Sequence, residues 1–239
     1  MAFKFTIIIP VYNEVNNLHR LEKALLAFLK TSIIKTQILL INDGSTDDSL
    51  TIIEAMCKKN SCFNMLSFDK NYGLSAALKA GFDYTETELV GYIDADLQTS
   101  PEDFDLLLEH INDFNLVTGV RINRNDSFTK KTTSKIANKI RRMFTKDGMD
   151  DTGCPLKVIR TEYAKKIPMF KGLHRFLPAM ILLQGGTIKQ IPIQHFPRIA
   201  GVSKFGIRNR FLSPLIDCFA YVWMKKRAIN YKVNNNFKS

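Results

Sequence analysis

Asp94 and Asp96 stand one residue apart at the end of an apolar run, in the segment VGYIDADLQTSPEDF (residues 90–104). Alternate side chains of an extended segment point the same way, so the two carboxylates can face one ligand. With Gln98 beside them they make a hard oxygen donor set, suited to Mg2+ or Mn2+ rather than zinc. Mg2+ takes one or two protein carboxylates and fills its shell with water and substrate phosphates. The repulsion between Asp94 and Asp96 becomes useful when a cation bridges them to a diphosphate. A lone D-x-D is also a common solvated turn or helix cap. Two further polar clusters raise its meaning: PVYNE (residues 10–14) and NDGSTDD (residues 42–48). The letters of the second suit a turn and an N-cap by themselves. Three such clusters, each at a strand end, are more specific than any one.

The elements that must position them alternate over the first 120 residues. Apolar strands are expected at 5–9, 37–42, 63–68, 88–94 and 114–120. Helices are expected between them at about 14–30, 47–59, 74–84 and 101–111, the last with Pro101 in its first turn. This pattern predicts an α/β fold with a mostly parallel central sheet covered by helices on both faces. In such a sheet ligands collect at the carboxyl ends of the strands, where all three clusters lie. The second half is less regular. A basic helix is expected at 128–144, strands at 155–160 and 187–196, and a short helix at 174–184. A basic, glycine-punctuated loop follows at 196–210, then an amphipathic helix at about 208–227. No repeat or linker divides the chain, so residues 1–239 are read as a single domain.

The net charge of +11 is unevenly placed. Residues 1–120 hold 9 Lys/Arg against 17 Asp/Glu, a balance of −8; residues 121–239 hold 25 against 6, a balance of +19. The basic half therefore suits an anionic partner: nucleic acid, a membrane surface or a phosphorylated substrate. No basic-aromatic RNA motif or zinc-finger spacing supports nucleic acid. Cys57, Cys62, Cys154 and Cys218 form no metal or redox pair and read as reduced, cytosolic cysteines. The start, MAFKFTIIIPVYNE, reads as a first strand and not as a signal peptide. No segment reaches the roughly 18 consecutive apolar residues of a spanning helix. Neither the dinucleotide fingerprint G-x-G-x-x-G nor the phosphate-cradling P-loop is present, so phosphates must be held another way.

IIIPVYNE, LLINDGSTDDS, NYGLSAALKAGF and GYIDADLQTSPED together resemble the family 2 inverting glycosyltransferases of GT-A fold. DADLQTSPED and the later HRFLPAM and IPIQHFPRIAGVSKFG resemble, more narrowly, the dolichyl- and polyprenyl-phosphate sugar (mannose) synthases. The resemblance runs from about Phe5 to Gly206. It implies a nucleotide-sugar-binding half at 1–120, an acceptor half at 121–206 and a candidate interfacial helix at 207–229. It implies that Pro10, Tyr12, Glu14 and Asp43 line the nucleotide pocket, with Gly73 and Leu74 beneath the donor. Asp94, Ala95 and Asp96 would meet the donor, and Asp94, Asp96 and Gln98 would hold Mg2+ or Mn2+.

The implied reaction moves a sugar from a GDP- or UDP-linked donor to a polyprenyl phosphate. A phosphate monoester has a second pKa near 6 and is mostly dianionic at neutral pH, so it needs positioning more than a general base. Arg121, directly after the fifth strand, is placed for this. Lys130 and Ser134 share a helical face at i and i+4, and the family carries arginine where this chain has Lys130. Arg198 and Lys204 resemble the family's basic loop near the acceptor. Asp94, Asp96, Arg121 and Arg198 are thus the expected catalytic set. The last helix carries Phe211, Leu212, Leu215, Phe219, Val222 and Trp223 between basic ends. That pattern suits a helix lying on anionic lipid, at the cytoplasmic face of a membrane, and equally a core or partner contact. Three alternatives stay open: a hydroxyl acceptor, which needs a base; a nucleotide-binding protein without turnover; and a basic nucleic-acid-binding module.

Overall fold

The apolar runs pair into one seven-stranded sheet in the order β3-β2-β1-β4-β6-β5-β7. The computed structural model describes residues 2–122, 138–197 and 212–229. The strands are β1 (Phe5–Val11), β2 (Thr36–Asn42), β3 (Phe63–Ser67), β4 (Leu89–Tyr92), β5 (Leu116–Arg121), β6 (Lys157–Arg160) and β7 (Ile188–Ile193). The helices are α1 (Val15–Thr31), α2 (Ser49–Lys59), α3 (Leu74–Tyr84), α4 (Asp103–Leu108), α5 (residues 138–145), α6 (Thr161–Lys165), α7 (Leu177–Leu183) and α8 (Leu212–Arg227). A 3₁₀ turn, Leu173–Phe176, leads into α7.

β1 and β2 are rich in Ile, Leu and Val because both of their faces are covered. Ile7 and Ile9 pack with Leu18, Leu21 and Phe28 of α1 and Phe104 of α4 on one face. Ile8 and Ile41 pack with Leu78, Phe82 and Leu177 on the other. Residues one apart on a strand thus serve opposite layers, as the pleat requires.

The pairings β1–β2, β2–β3, β1–β4 and β5–β7 are parallel, while β6 runs antiparallel to both β4 and β5. β5 therefore points the same way as β4, and the chain entering β6 arrives at the edge that β4 leaves. Six strand ends and the approach to β6 meet along one edge of the sheet.

The expected elements are present with shifted ends. β1 runs two residues past the expected end, to Val11, because it pairs with β2 as far as Asn42. β4 stops at Tyr92, which frees Asp94 from the ladder. The expected helix at 101–111 is regular only over Asp103–Leu108. α6 was not expected; its five residues follow β6 directly. Of the expected basic helix at 128–144, residues 138–145 are helical and 128–137 lie outside the described residues, as does most of the basic loop at 196–210. The four cysteines are free.

Candidate active site

The three polar clusters fall on neighbouring strands. β1 lies between β2 and β4, and paired strands are about 5 Å apart. PVYNE therefore adjoins both NDGS and DAD.

The first two corners are joined by hydrogen bonds. Asn13, with φ 51°, donates from its backbone to Ser45 Oγ (3.0 Å), and its side-chain carbonyl accepts from Thr46 N–H (2.8 Å). Tyr12, Gly44, Ser45, Thr46, Ser67 and Lys70 are among the residues lining an open cavity of about 380 Å³ at the ends of β1 to β3. Asp43 is 4% exposed and lies behind this cavity. Its carboxylate accepts from Asn71 Nδ2 (3.0 Å), Tyr72 N–H (2.7 Å) and Gly73 N–H (2.9 Å). Burial raises its pKa against the two backbone donors. Asp43 thus shapes a wall by holding residues 71–73. Gly44 makes this possible: it sits at φ +64°, and a Cβ would lie 2.2 Å from the Lys70 carbonyl carbon.

Of the other donor candidates, Gly73 precedes α3 at φ 90°, a backbone state that suits glycine, and Leu74 packs on the core at the start of that helix. Pro10 is within β1. Glu14 Oε2 accepts from Asn17 Nδ2 (2.6 Å), and Arg20, one turn further along α1, donates to the Asp96 carbonyl (2.7 Å). Helix α1 thereby ties the PVYNE corner to DAD.

At DAD, Asp96 is 4% exposed and its Oδ1 accepts from Gln98 N–H (3.1 Å), closing a turn around Leu97, whose φ is 55°. A left-handed leucine costs roughly 1–2 kcal/mol, the kind of strain found at functional sites. Gln98 is also bridged to the segment that follows β7, its carbonyl accepting from Phe196 N–H (2.9 Å). Asp94 is partly buried, with the Tyr92 hydroxyl bonded to its carboxylate. Burial first, and the charge of Asp96 second, push its pKa up to about 6; Lys157, Arg121 and Tyr92 pull the other way. Ala95 is buried between the two carboxylates.

Arg121 ends β5 beside this group. Its Nε and Nη2 donate to the two oxygens of Asp151 (2.7 and 2.9 Å). Burial acts to lower its pKa, but the bonds and charge of Asp151 prevail and keep it protonated. Lys157 lies at the position of β6 that pairs with Tyr92, and is 1% exposed. Burial lowers its pKa. On the far side, burial and the cations Arg175 and Lys157 push His174 down to about 3, and its Nδ1 is bonded to Ser75 Oγ (2.8 Å).

Asp94, Asp96, Gln98 and Arg121 are thus gathered at one edge. Lys130, Ser134, Arg198 and Lys204 lie outside the described residues. Sequence reading passed over Lys157, Asp151, Tyr92, Arg20 and His174. The signal for the first two was present: a lysine inside the apolar strand PLKVIR, preceded by the turn letters DTGC.

The donor set fits a divalent ion. Among the described residues no three His, Cys, Asp or Glu side chains are grouped to hold a metal alone. Mg2+ and Mn2+ sites that share substrate phosphates do not require three. Two carboxylates close enough for one to raise the pKa of the other are a place where a cation lowers the energy.

The family model for glycosyl transferase family 2 matches residues 6–167, about two thirds of the chain. The chain belongs to glycosyl transferase family 2. This glycosyltransferase also shares its fold with solved structures. Glucosyl-3-phosphoglycerate synthase from Mycobacterium tuberculosis, solved with Mn2+, UDP and glucosyl-3-phosphoglycerate, superposes with a TM-score of 0.71 at 12% identity, over 96% of this chain and 82% of that one. The mannosyltransferase PcManGT from Pyrobaculum calidifontis, with GDP-Man and Mn2+, gives 0.66 at 16% identity, over 92% and 64%. The fold of this family 2 enzyme is therefore GT-A.

Proposed function

We propose that this glycosyltransferase moves a sugar from a GDP- or UDP-linked donor to a polyprenyl phosphate, with inversion, at a membrane surface. The observation that carries the reading is the cation Arg121 held beside Asp94 at the shared edge, where an anionic acceptor can meet the donor. The cavity lined by Tyr12, Gly44 and Lys70 takes the nucleoside. Gly73 and Leu74 lie beneath the diphosphate. Asp94 and Asp96, with Gln98, would hold Mg2+ or Mn2+, which would supply Lewis-acid compensation for charge on the leaving diphosphate. Solved structures of the same fold with Mn2+ and a nucleotide or nucleotide sugar support a divalent ion in the reaction.

Asp151 holds Nε and Nη2 of Arg121, and a guanidinium is the side chain that suits bidentate contact with a phosphate. Lys130, Ser134, Arg198 and Lys204 join it in binding that phosphate. Because the acceptor is already anionic, the residues orient it and no general base is needed.

Phosphoglycerate also carries a phosphate, and a relative of the same fold was solved with its glucosylated form. The outer face of α8 favours lipid. Ile216, Phe219 and Trp223 are 66%, 60% and 61% exposed, and Lys225, Lys226 and Arg227 follow. Apolar side chains bordered by cations suit an anionic membrane surface. Among the described residues no helix is long and apolar enough to cross a membrane.

Purified protein is incubated with Mn2+, each of a panel of nucleotide sugars, and one of three acceptors: polyprenyl phosphate, 3-phosphoglycerate or a neutral saccharide. Formation of a glycosyl phospholipid is expected. Product from 3-phosphoglycerate or a neutral hydroxyl acceptor alone would overturn the lipid reading.

A further inference from the structure

Lys157 is fully buried, yet its partners among the described residues are two carbonyls and an aromatic face. Its Nζ donates to the Cys154 carbonyl and to the Thr152 carbonyl (3.5 Å), and lies 5.7 Å from the centre of the Tyr92 ring. Burying an ammonium is costly even with the charges of Asp151 and Asp94 acting in its favour, and an apolar side chain of similar length would avoid that cost. What the ammonium adds is a set of donors for carbonyls that turn inward between Asp151 and Leu156.

That turn bears directly on Arg121. Asp151 clamps its Nε–Nη2 edge, and a Cβ on Gly153 would lie 3.1 Å from Arg121 Nη2. The turn therefore forms both the clamp and the seat of the guanidinium. We propose that Lys157 is a positioning residue: it pins the turn at 151–156 and, through Asp151, fixes the orientation of Arg121 toward the acceptor phosphate. The inference rests on the reading of Arg121 as an acceptor-binding cation. The residues of the turn are not among those lining the nucleoside cavity, so the effect of Lys157 falls first on the acceptor side, although its charge also acts on Asp94.

The test compares wild type with Lys157→Met and Lys157→Arg. Two things are measured: KM for donor and for polyprenyl phosphate, and the 15Nε NMR signal of Arg121 in the protein without substrates. Lys157→Met is expected to raise the acceptor KM tenfold or more, to change the donor KM by a much smaller factor, and to speed guanidinium rotation at Arg121. Lys157→Arg is expected to recover most of both effects. Equal changes in the two KM values, or an Arg121 signal identical to wild type, would overturn the proposal. If Lys157→Met does not fold, Lys157→Gln, which keeps one donor for the turn, replaces it with the same expectations at smaller size. The NMR readout needs no acceptor. A wild type that ignores polyprenyl phosphate therefore removes the acceptor reading, while the Arg121 signal still decides the role of Lys157.

Discussion

Asp94 is the residue where stability and function oppose each other most plainly. Its pKa of about 6 exceeds the ordinary 3.8 because burial and Asp96 disfavour its charge. A carboxyl that binds its proton more tightly when folded stabilises the fold below about pH 4, and that contribution is lost as pH rises toward 6. Asp94→Asn should therefore raise the melting temperature of the metal-free protein at pH 7.5 while abolishing transfer. Mn2+ should raise the melting temperature of wild type but not of this variant, because only a native state that binds the ion is stabilised by it. A variant that melts lower than wild type and still gains from Mn2+ would sink the assignment. His174 works in the opposite sense. Its pKa falls from 6.5 to about 3, so its contribution is present above pH 6.5 and lost as pH falls toward 3. The limit for one proton is about 1.4 kcal/mol per pH unit. Denaturant titrations from pH 7 to 4 should show His174→Gln flattening the acid side of the profile.

At the scale of elements, the turn after β2 and the outer face of α8 can be tested separately. Gly44 has both a positive φ and a backbone neighbour where a Cβ would lie. Gly44→Ala cannot be accommodated by a side-chain rotation. The left-handed state alone costs about 1 kcal/mol, and displacement of residues 70 and 71 adds to it. Thermal melts should fall, and the donor KM should rise, because the same segment lines the cavity. α8 is anchored by its inner face, where Cys218 and Tyr221 are each 2% exposed and Asp217 faces Arg175 (3.7 Å). On its outer face Ile216 and Trp223 are exposed, while Phe219 meets the Phe144 ring edge-on with centroids 5.2 Å apart. Ile216→Glu should leave the melting temperature unchanged and weaken co-sedimentation with anionic vesicles by more than tenfold, since burying one such side chain is worth about 2 kcal/mol. Loss of folding instead would mean that this face packs inside the protein.

For the whole molecule, the division of charge is the dominant feature. The first 120 residues carry −8 and the rest +19. The acidic half builds the corner proposed for the metal, and the basic half suits an anionic surface. Binding to phosphatidylglycerol vesicles should fall steeply between 50 and 500 mM salt, as screening shortens the reach of exposed charge. Neutral phosphatidylcholine vesicles should bind weakly at any salt. Equal binding to both would assign the surface to hydrophobic contact alone.

The α/β order, the covered parallel strands and the three acidic corners were all legible in the residues. Apolar runs and turn letters act over a few neighbours, and a parallel sheet aligns its strand ends whatever the loops do. Asp94, Asp96 and Arg121 could be singled out for that reason. The order of strands lay beyond local pattern, because β6 enters antiparallel between β4 and β5 through pairings far apart in the chain. That insertion alone brings Lys157 beneath Tyr92 and Asp151 onto Arg121. Composition could not divide α8 into an anchored and an exposed face either, since its apolar residues look alike until the core chooses among them. Local chemistry determined which groups were able to act; long-range packing decided which of them share a field.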